Sequence, residues 1–284
     1  MTSQIKTMFL LALLSAIIIL LGGMIGGRAG VIIAFGLALL MNAGGYWYSD
    51  RIVLSMYHAR EVSPEEAPCL HRVVEELAAM AGIHKPRVCL VPEDAPNAFA
   101  TGRDPEHAVI AATEGILRLL TPEQLRGVIA HEIGHIANRD ILIQTIAGVM
   151  GSAIVTLANI FQFTAIFSGN RNEEGGSNSI AALVLAFLAP VATGLIQIAL
   201  SRSREYLADD TGAKLCGHPR DLATALAKLG EYSGRIPMRA GNPCTEQMFI
   251  VTPAFLSGGI ASLFSTHPPL EERIARLERM GAQR

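Results

Sequence analysis

The segment TPEQLRGVIAHEIGHIANRD, residues 121–140, begins with residues that typically start a helix. Thr121 is a common N-cap residue, and Pro122 suits the first helical position. Gln124 completes a capping box, in which it and the N-cap satisfy each other's backbone N–H groups. The segment therefore predicts a helix that starts at Pro122, with His131 and His135 lying several turns from its N-terminus.

Two histidines lie four residues apart in this predicted helix, at His131 and His135. Residues at this spacing share one helix face, so both imidazoles can bind one ion. Glu132 is rotated by about 100° from His131 and lies beside that ion. This is the HExxH pattern, in which the histidines bind zinc and the carboxylate deprotonates the metal-bound water. A chance match would occur in roughly one chain of this length in a hundred, so we predict a catalytic zinc site.

A hydrolytic zinc site has three protein ligands and one open position, so a further ligand must come from another segment. A metzincin would have Gly and His where Asn138 and Ile141 stand, which excludes that class. SRSREYLADD (201–210) carries Glu205 and Asp209 four apart on a predicted helix. Glu205 can bind zinc and Asp209 can bond a ligating histidine, but an exposed charged helix fits the spacing equally well. The rival carboxylates are Glu231, Glu246, Glu271 and Glu272.

The composition indicates a membrane protein. Half of the 284 residues are hydrophobic and only 17% are charged, whereas soluble domains carry about 25% charged residues. The net charge of −2 gives no indication of nucleic acid as a partner. The four cysteines lack CxxC spacing, which predicts reduced thiols and argues against a disulfide framework or a cysteine zinc site.

Four apolar segments qualify, or nearly qualify, as the helix of roughly 20 residues that spans a bilayer core. They are residues 8–27, 29–48, 141–167 and 180–200. We expect the first to be a retained anchor and not a signal peptide, because a second apolar segment follows it without a cleavage site. The third contains glutamine and asparagine, so a buried helix of the soluble domain is its alternative.

Basic residues near the span ends predict the orientation. The more basic side, predicted to be cytoplasmic, has Lys6, Arg51, Arg60, Arg139, Arg202 and Arg204, and the other side has Arg28 and Arg171. The predicted organisation is two spans in 1–48, the first part of a catalytic domain in 49–140, two spans in 141–200 and the second part of the domain in 201–284. The loop 168–179 between the later spans is predicted to lie outside.

The polar segments predict short secondary-structure elements. Apolar residues at helical spacing predict a helix within 64–82, which Gly82 ends. Strand-like runs follow at 87–91, 97–102 and 107–113, before a short helix at 114–120. The predicted fold class is mainly α with a small β-sheet, in an integral membrane protein with four transmembrane helices.

The motifs HEIGHIANRD, REYLAD, NAFATG and STHPPLEERI together resemble the HtpX family of bacterial membrane-bound zinc proteases, which is related to the CAAX prenyl proteases. The resemblance covers nearly the whole chain. It implies a gluzincin-like domain facing the cytoplasm from the inner membrane, with one zinc ion per subunit on His131, His135 and Glu205. It also implies a role in membrane-protein quality control and the stress response, with misfolded membrane proteins and unfolded polypeptides as substrates.

The same resemblance implies substrate-binding residues. Asn138 is similar to a family position near the substrate, although a polar residue at a helix end is the alternative. The run NAFATG, with Asn97 and Phe99, looks like an edge strand that pairs with an extended substrate. Its alternative is an ordinary interior strand.

In STHPPLEERI the prolines predict an extended or turning chain before a helix that starts at about Leu270. The resemblance places His267 and Arg273 of this motif close to the metal. His267 can donate a hydrogen bond to the developing oxyanion, and Arg273 can orient Asp209 or a substrate carbonyl. The alternative is a capped surface helix with paired Glu and Arg side chains.

Two rival functions remain open at this point. One is a non-enzymatic membrane scaffold or chaperone-like module with structural zinc. Closed structural sites normally have four protein ligands, which two histidines and one carboxylate do not supply. The other is a CAAX prenyl protease, for whose large intramembrane chamber four spans are too few.

Overall fold

The structure is a computed structural model that describes residues 3–152, 202–233, 235–239, 245, 248–251 and 268–282. Its elements are α1 (Ser3–Met56), β1 (Arg60–Glu61), α2 (Pro68–Ala81), β2 (Arg87–Val91), β3 (Ala98–Thr101), a 3₁₀ turn (Pro105–His107), β4 (Val109–Thr113), α3 (Glu114–Leu119), α4 (Pro122–Ala137), α5 (Ile141–Ser152), α6 (Arg202–Cys216), α7 (Pro219–Ser233) and α8 (Leu270–Ala282). The predicted class, mainly helical with a small sheet, is confirmed. The predicted fourth span, the loop 168–179, most of the third span and His267 lie outside the described residues.

Helix α1 is broken at Gly27, where φ is 53° and ψ is −136°. Glycine adopts this left-handed φ without steric cost. The helix folds back there, since Asn42 Nδ2 donates a hydrogen bond to Ser15 Oγ at 2.7 Å. Near the turn, a side chain added to Gly22 or Gly30 would collide with the backbone of the other residue. The two leading apolar segments are therefore two helices joined by a tight turn.

The second half of α1, Gly27–Met56, is the one helix among the described residues that is long and apolar enough to cross a membrane. Its apolar side chains are largely exposed, with Ile32 and Leu40 each at 73%. Trp47 and Tyr48 are also exposed, at the end of this apolar stretch, where aromatic residues mark a membrane–water interface. In contrast, the described residues of α5 are apolar but almost entirely buried.

The sheet has four strands in the order β1-β2-β4-β3. β2 and β4 are parallel, whereas β1 pairs with β2 and β3 pairs with β4 in antiparallel fashion. β3 therefore lies at one end of the strand order, as the edge-strand interpretation of NAFATG requires. All residues of β3 and β4 are buried, because helices and loops cover the faces of the sheet.

Helix α4 lies at the centre of the soluble part and packs against α2, β3, α6 and α7. Its predicted capping box is present: Gln124 N–H donates to Thr121 Oγ1 at 3.3 Å, and Thr121 N–H donates to Gln124 Oε1 at 3.1 Å. Gly82 ends α2 with φ of 67°, as predicted. These local signals fix where the helices begin and end, and the central position of α4 places its histidines inside the protein.

Candidate metal centre

Three potential metal ligands meet between α4 and α6. The Nε2 atoms of His131 and His135 lie 3.2 Å apart. The Glu205 carboxylate oxygens lie 3.7 Å from His131 Nε2 and 3.5 Å from His135 Nε2. All three side chains are buried. In the described part of the chain, this is the one cluster of at least three His, Cys, Asp or Glu side chains that can hold a metal ion.

The spacing of these atoms fits a single small ion. Zinc binds imidazole nitrogen at about 2.0–2.1 Å and carboxylate oxygen at about 2.0–2.2 Å, so two tetrahedral ligand atoms lie roughly 3.3–3.5 Å apart. The observed separations of 3.2, 3.5 and 3.7 Å lie close to that range. Two imidazoles and one carboxylate also leave a fourth position for a reacting group.

Glycines bring α6 close enough to α4 for these ligands to meet. A Cβ on Gly134 would lie 3.1 Å from the carbonyl oxygen of Ala208 in α6. A Cβ on Gly212 would lie only 2.8 Å from the backbone nitrogen of His131. A Cβ on Gly212 would therefore force α6 and α4 apart, and one on Gly134 would require a shift of a few tenths of an ångström. Gly134 thus serves the site from within the HExxH motif.

His131 is held from behind by a buried chain of charges. Its Nδ1 lies 2.9 Å from Asp209 Oδ1. Arg273 of α8 donates to both oxygens of Asp209, at 2.9 and 2.8 Å, and to the carbonyl oxygen of Ile250 at 2.9 Å. Burial raises the pKa of Asp209, but Arg273 and His131 outweigh it and lower this pKa to about 2. Burial lowers the pKa of His131, which favours a neutral ring with a free lone pair.

His135 has a different partner, Asp140, which the sequence analysis did not identify. Asp140 Oδ2 lies 3.8 Å from His135 Nδ1, and Arg204 Nε lies 3.6 Å from the other Asp140 oxygen. Asp140 reaches this position because α4 ends in a Schellman motif: Asp140 N–H donates to the carbonyl of His135, and Arg139 N–H to that of Ile136. A partner for His135 could have been expected, because a histidine that binds a metal through one ring nitrogen generally forms a hydrogen bond through the other.

The pKa values show how negative the surroundings of the ligands are. Burial lowers the pKa of His135, but Glu205, Asp140 and Glu132 together raise it to about 9. The Glu132 carboxyl is itself fully buried, and burial together with Glu205 raises its pKa to about 8. The same carboxylates that favour a proton on His135 favour a metal cation between the ligands.

The two asparagines predicted to bind substrate, Asn138 and Asn97, differ in their hydrogen bonding. Asn138 is the half-buried C-cap of α4, and its Nδ2 has no hydrogen-bond partner among the described residues. Asn97, in contrast, is fully engaged: its Nδ2 donates to the carbonyl of Val251 at 2.7 Å, and its Oδ1 accepts from Ala98 N–H at 3.0 Å. The side chain of Asn97 therefore holds β3 to the segment at 248–251.

Phe99 is completely buried in a cluster of three aromatic rings. Its ring centroid lies 5.4 Å from that of Tyr57 and 5.3 Å from that of Phe249. Its side chain packs β3 against the end of α1 and its backbone pairs with Ala111 of β4, so Phe99 supports the strand and does not itself face the outer edge.

The fold and the site together indicate the class of protein. Two histidines on one helix and a carboxylate on a second, in a chain that also has a long apolar helix, are typical of a membrane metalloprotease. The chain belongs to peptidase family M48, whose model matches residues 64–281. The predicted resemblance is thereby confirmed, as is the prediction of a metalloprotease.

Individual relatives support the same conclusion. A protease HtpX homolog from Syntrophobacter fumaroxidans is 53% identical over 284 residues, which are 99% of this chain and 100% of the relative. Another, from Pyrococcus furiosus, is 54% identical over 279 residues, 98% of this chain and 96% of the relative. Among solved structures, Ste24p from S. mikatae matches 97% of this chain with a TM-score of 0.51 and 18% identity. At that identity the likeness concerns the fold alone, and the match covers 65% of the Ste24p chain.

Proposed function

We propose that this metalloprotease is a zinc-dependent endopeptidase of the HtpX type, which hydrolyses peptide bonds in misfolded or damaged membrane proteins. Its role would be quality control and the stress response in the inner membrane. The observation that carries the proposal is the buried cluster of His131, His135 and Glu205, with the Glu132 carboxyl beside it. Two imidazoles and one carboxylate with an open position are the usual donors of catalytic zinc.

Glu132 is proposed as the general base. Bound zinc would supply Lewis acidity at the scissile carbonyl and acidify water. A Glu132 carboxylate oxygen then accepts the proton of the attacking water and later gives it to the leaving amine. Burial raises the pKa of Glu132 to about 8, and a zinc cation held beside it would lower that pKa and keep the carboxylate able to accept the proton.

Asp209 and Arg273 are proposed as positioning residues. Asp209 accepts a hydrogen bond from His131 Nδ1–H, which leaves Nε2 to bind the metal. The two donors of Arg273 fix the orientation of Asp209. Asp140 fills the corresponding place behind His135 at a longer distance. His267 stays a proposed oxyanion donor on the basis of the motif STHPPLEERI alone.

The outer edge of β3 is the proposed site for an extended substrate. On the side away from β4, the carbonyl of Ala98 already accepts a backbone hydrogen bond from Ile250 N–H at 3.3 Å, so a substrate would pair with the part of this edge beyond Ala98. Residues two apart in a strand point the same way, so the backbone of Ala100 also faces outward, and its N–H bonds to Glu132. A substrate added to this edge would be selected mainly through its backbone, which suits broad specificity. Asn138, at the end of α4, is proposed to bond the same chain.

We expect the purified parent protein to contain about one zinc ion per chain and to hydrolyse casein. A chelator should remove the metal and the activity together, and zinc should restore both, because the proposed hydrolysis depends on the Lewis acidity that bound zinc would supply. Metal analysis and casein hydrolysis in detergent measure these changes. A protein that held zinc firmly but cleaved no polypeptide would instead support the scaffold function.

The proposed topology has four spans, in 1–48 and 141–200, with both parts of the gluzincin-like domain (49–140 and 201–284) in the cytoplasm. A cysteine introduced in the loop 168–179 should react with an impermeant thiol reagent added outside intact cells. A cysteine introduced at the exposed Glu65 should react only after the membrane is opened. Labelling at Glu65 in intact cells would overturn the proposed orientation.

A further inference from the structure

We infer that the catalytic site is fixed at a short, constant distance from the membrane surface, so that it cuts peptide bonds within a few residues of a substrate's membrane span. The inference rests on the proposed function, because it names the substrate segment of that same site. It comes from the contacts that join the sheet and α5 to the membrane helix.

The strand beside Glu132 ends directly at the membrane helix. Arg103, two residues beyond β3, stacks on Trp47 of α1, with Cζ 4.9 Å from the ring centroid. Trp47 is 56% exposed at the end of the apolar surface of Gly27–Met56, the position of an interfacial aromatic residue. The end of β3 is therefore tied to the level of the membrane surface.

Two polar contacts strengthen this attachment. Arg87, at the start of β2, forms a salt bridge with Asp50 of α1 at 2.5 Å. The Thr101 hydroxyl at the end of β3 bonds the Thr145 hydroxyl of α5 at 3.0 Å, and both side chains are fully buried. With the ring contact between Tyr57 and Phe99, these bonds hold the sheet against both apolar helices. Because two of these contacts, Thr101 with Thr145 and Tyr57 with Phe99, are fully buried, the site cannot swing freely away from the membrane.

The chain path along β3 bounds the distance from the site to the interface. Ala100, whose N–H bonds to Glu132, precedes Arg103 by three residues, which cover roughly 10 Å. Because the path along the chain is the greatest separation its ends can have, the site lies within about 10–15 Å of the interface.

An extended chain covers this distance in few residues. At 3.3–3.6 Å per residue, 10–15 Å corresponds to about three to five residues. A substrate that leaves the bilayer beside α1 can therefore reach Glu132 almost at once. A bond far along a tail can reach the site only if the intervening chain loops back, which costs closure entropy. The site therefore favours peptide bonds close to the substrate's membrane span, although β3 would bind a substrate mainly through its backbone.

The test uses the full-length protein reconstituted in vesicles together with a single-span substrate. The substrate's tail consists of identical tandem repeats of one cleavable five-residue sequence, so that residue type cannot select a position. Mass spectrometry of the released fragments maps each cut. We expect cuts to be confined to the first one or two repeats after the span, at least tenfold more frequent there than in later repeats. Even cutting throughout the tail, or no cut in it, overturns the inference.

A second substrate separates this inference from the proposed function. The same repeat tail, supplied as a soluble peptide without a span, should be cut by the parent protein in all repeats and should stay intact with Glu132→Ala. If the parent leaves the soluble peptide and the membrane substrate both uncut, the proposed protease function fails. If the soluble peptide is cut but the anchored tail is cut evenly, only the juxtamembrane preference is wrong.

Discussion

Replacing Glu132 with alanine is expected to lower peptide hydrolysis by at least about 10²–10⁴-fold, the usual contribution of a general base. Metal content should stay near that of the parent, because Glu132 is not one of the three clustered ligands. Casein hydrolysis and metal analysis on the same preparation measure both effects.

Glu123→Ala is the matched control for this substitution. Glu123 belongs to the first turn of the same helix and is exposed. Its loss removes only a favourable charge at the helix N-terminus, worth about 0.3–1 kcal/mol, and should leave hydrolysis unchanged. A folded Glu132→Ala protein without metal would show that Glu132 binds the ion, and the assignment of the base would then be wrong.

Glu205→Gln is expected to lower the metal affinity more than Asp209→Asn does. The substitution keeps the size of the side chain but removes the only anionic ligand of the three, at a position that is 3% exposed. Asp209→Asn should cost less, about 10–100-fold, because Asp209 contacts His131 and not the ion. Competition with a zinc-binding dye measures the zinc affinities of the Glu205→Gln and Asp209→Asn proteins. The two are compared in preparations that contain the same fraction of folded protein.

Asp210→Asn provides a close control for Asp209→Asn. Asp210 is the next residue of α6 and also pairs with an arginine, Arg276, at 3.1 and 2.7 Å. This pair is partly exposed and faces away from the histidines, so its loss should leave the metal affinity unchanged. If Asp209→Asn weakened binding more than Glu205→Gln, the roles of ligand and positioning residue would have to be exchanged.

Local chemistry explains why much of the protein could be predicted from the sequence. The capping box at Thr121, the stop at Gly82 and the start of α8 at Leu270 each depend on residues within one helical turn. The same holds for His131 and His135, because helical geometry alone places residues four apart on one face. The fold class and the HExxH half of the site follow from such short-range rules. The four-span count stays a prediction, since one candidate spanning helix occurs among the described residues.

The remaining features depended on contacts between distant segments. Spacing alone left Glu205 open among several carboxylates, and only the family resemblance implied it as the third ligand. Its place beside the histidines requires α6 to pack closely on α4 at Gly134 and Gly212. Asp140 was missed because Arg139, not glycine, adopts the left-handed φ of 59° that turns the chain back to His135.

The pairing of Arg273 with Asp209 and the stacking of Arg103 on Trp47 also join residues far apart in the chain. No periodicity or motif spacing encodes such pairs, because each depends on how whole helices pack. The sequence by itself therefore determined the class of protein and the histidine half of the site. Only the tertiary structure placed Asp209, Arg273 and Asp140 against the ligands and joined the end of β3 to α1, because these contacts require whole helices to pack.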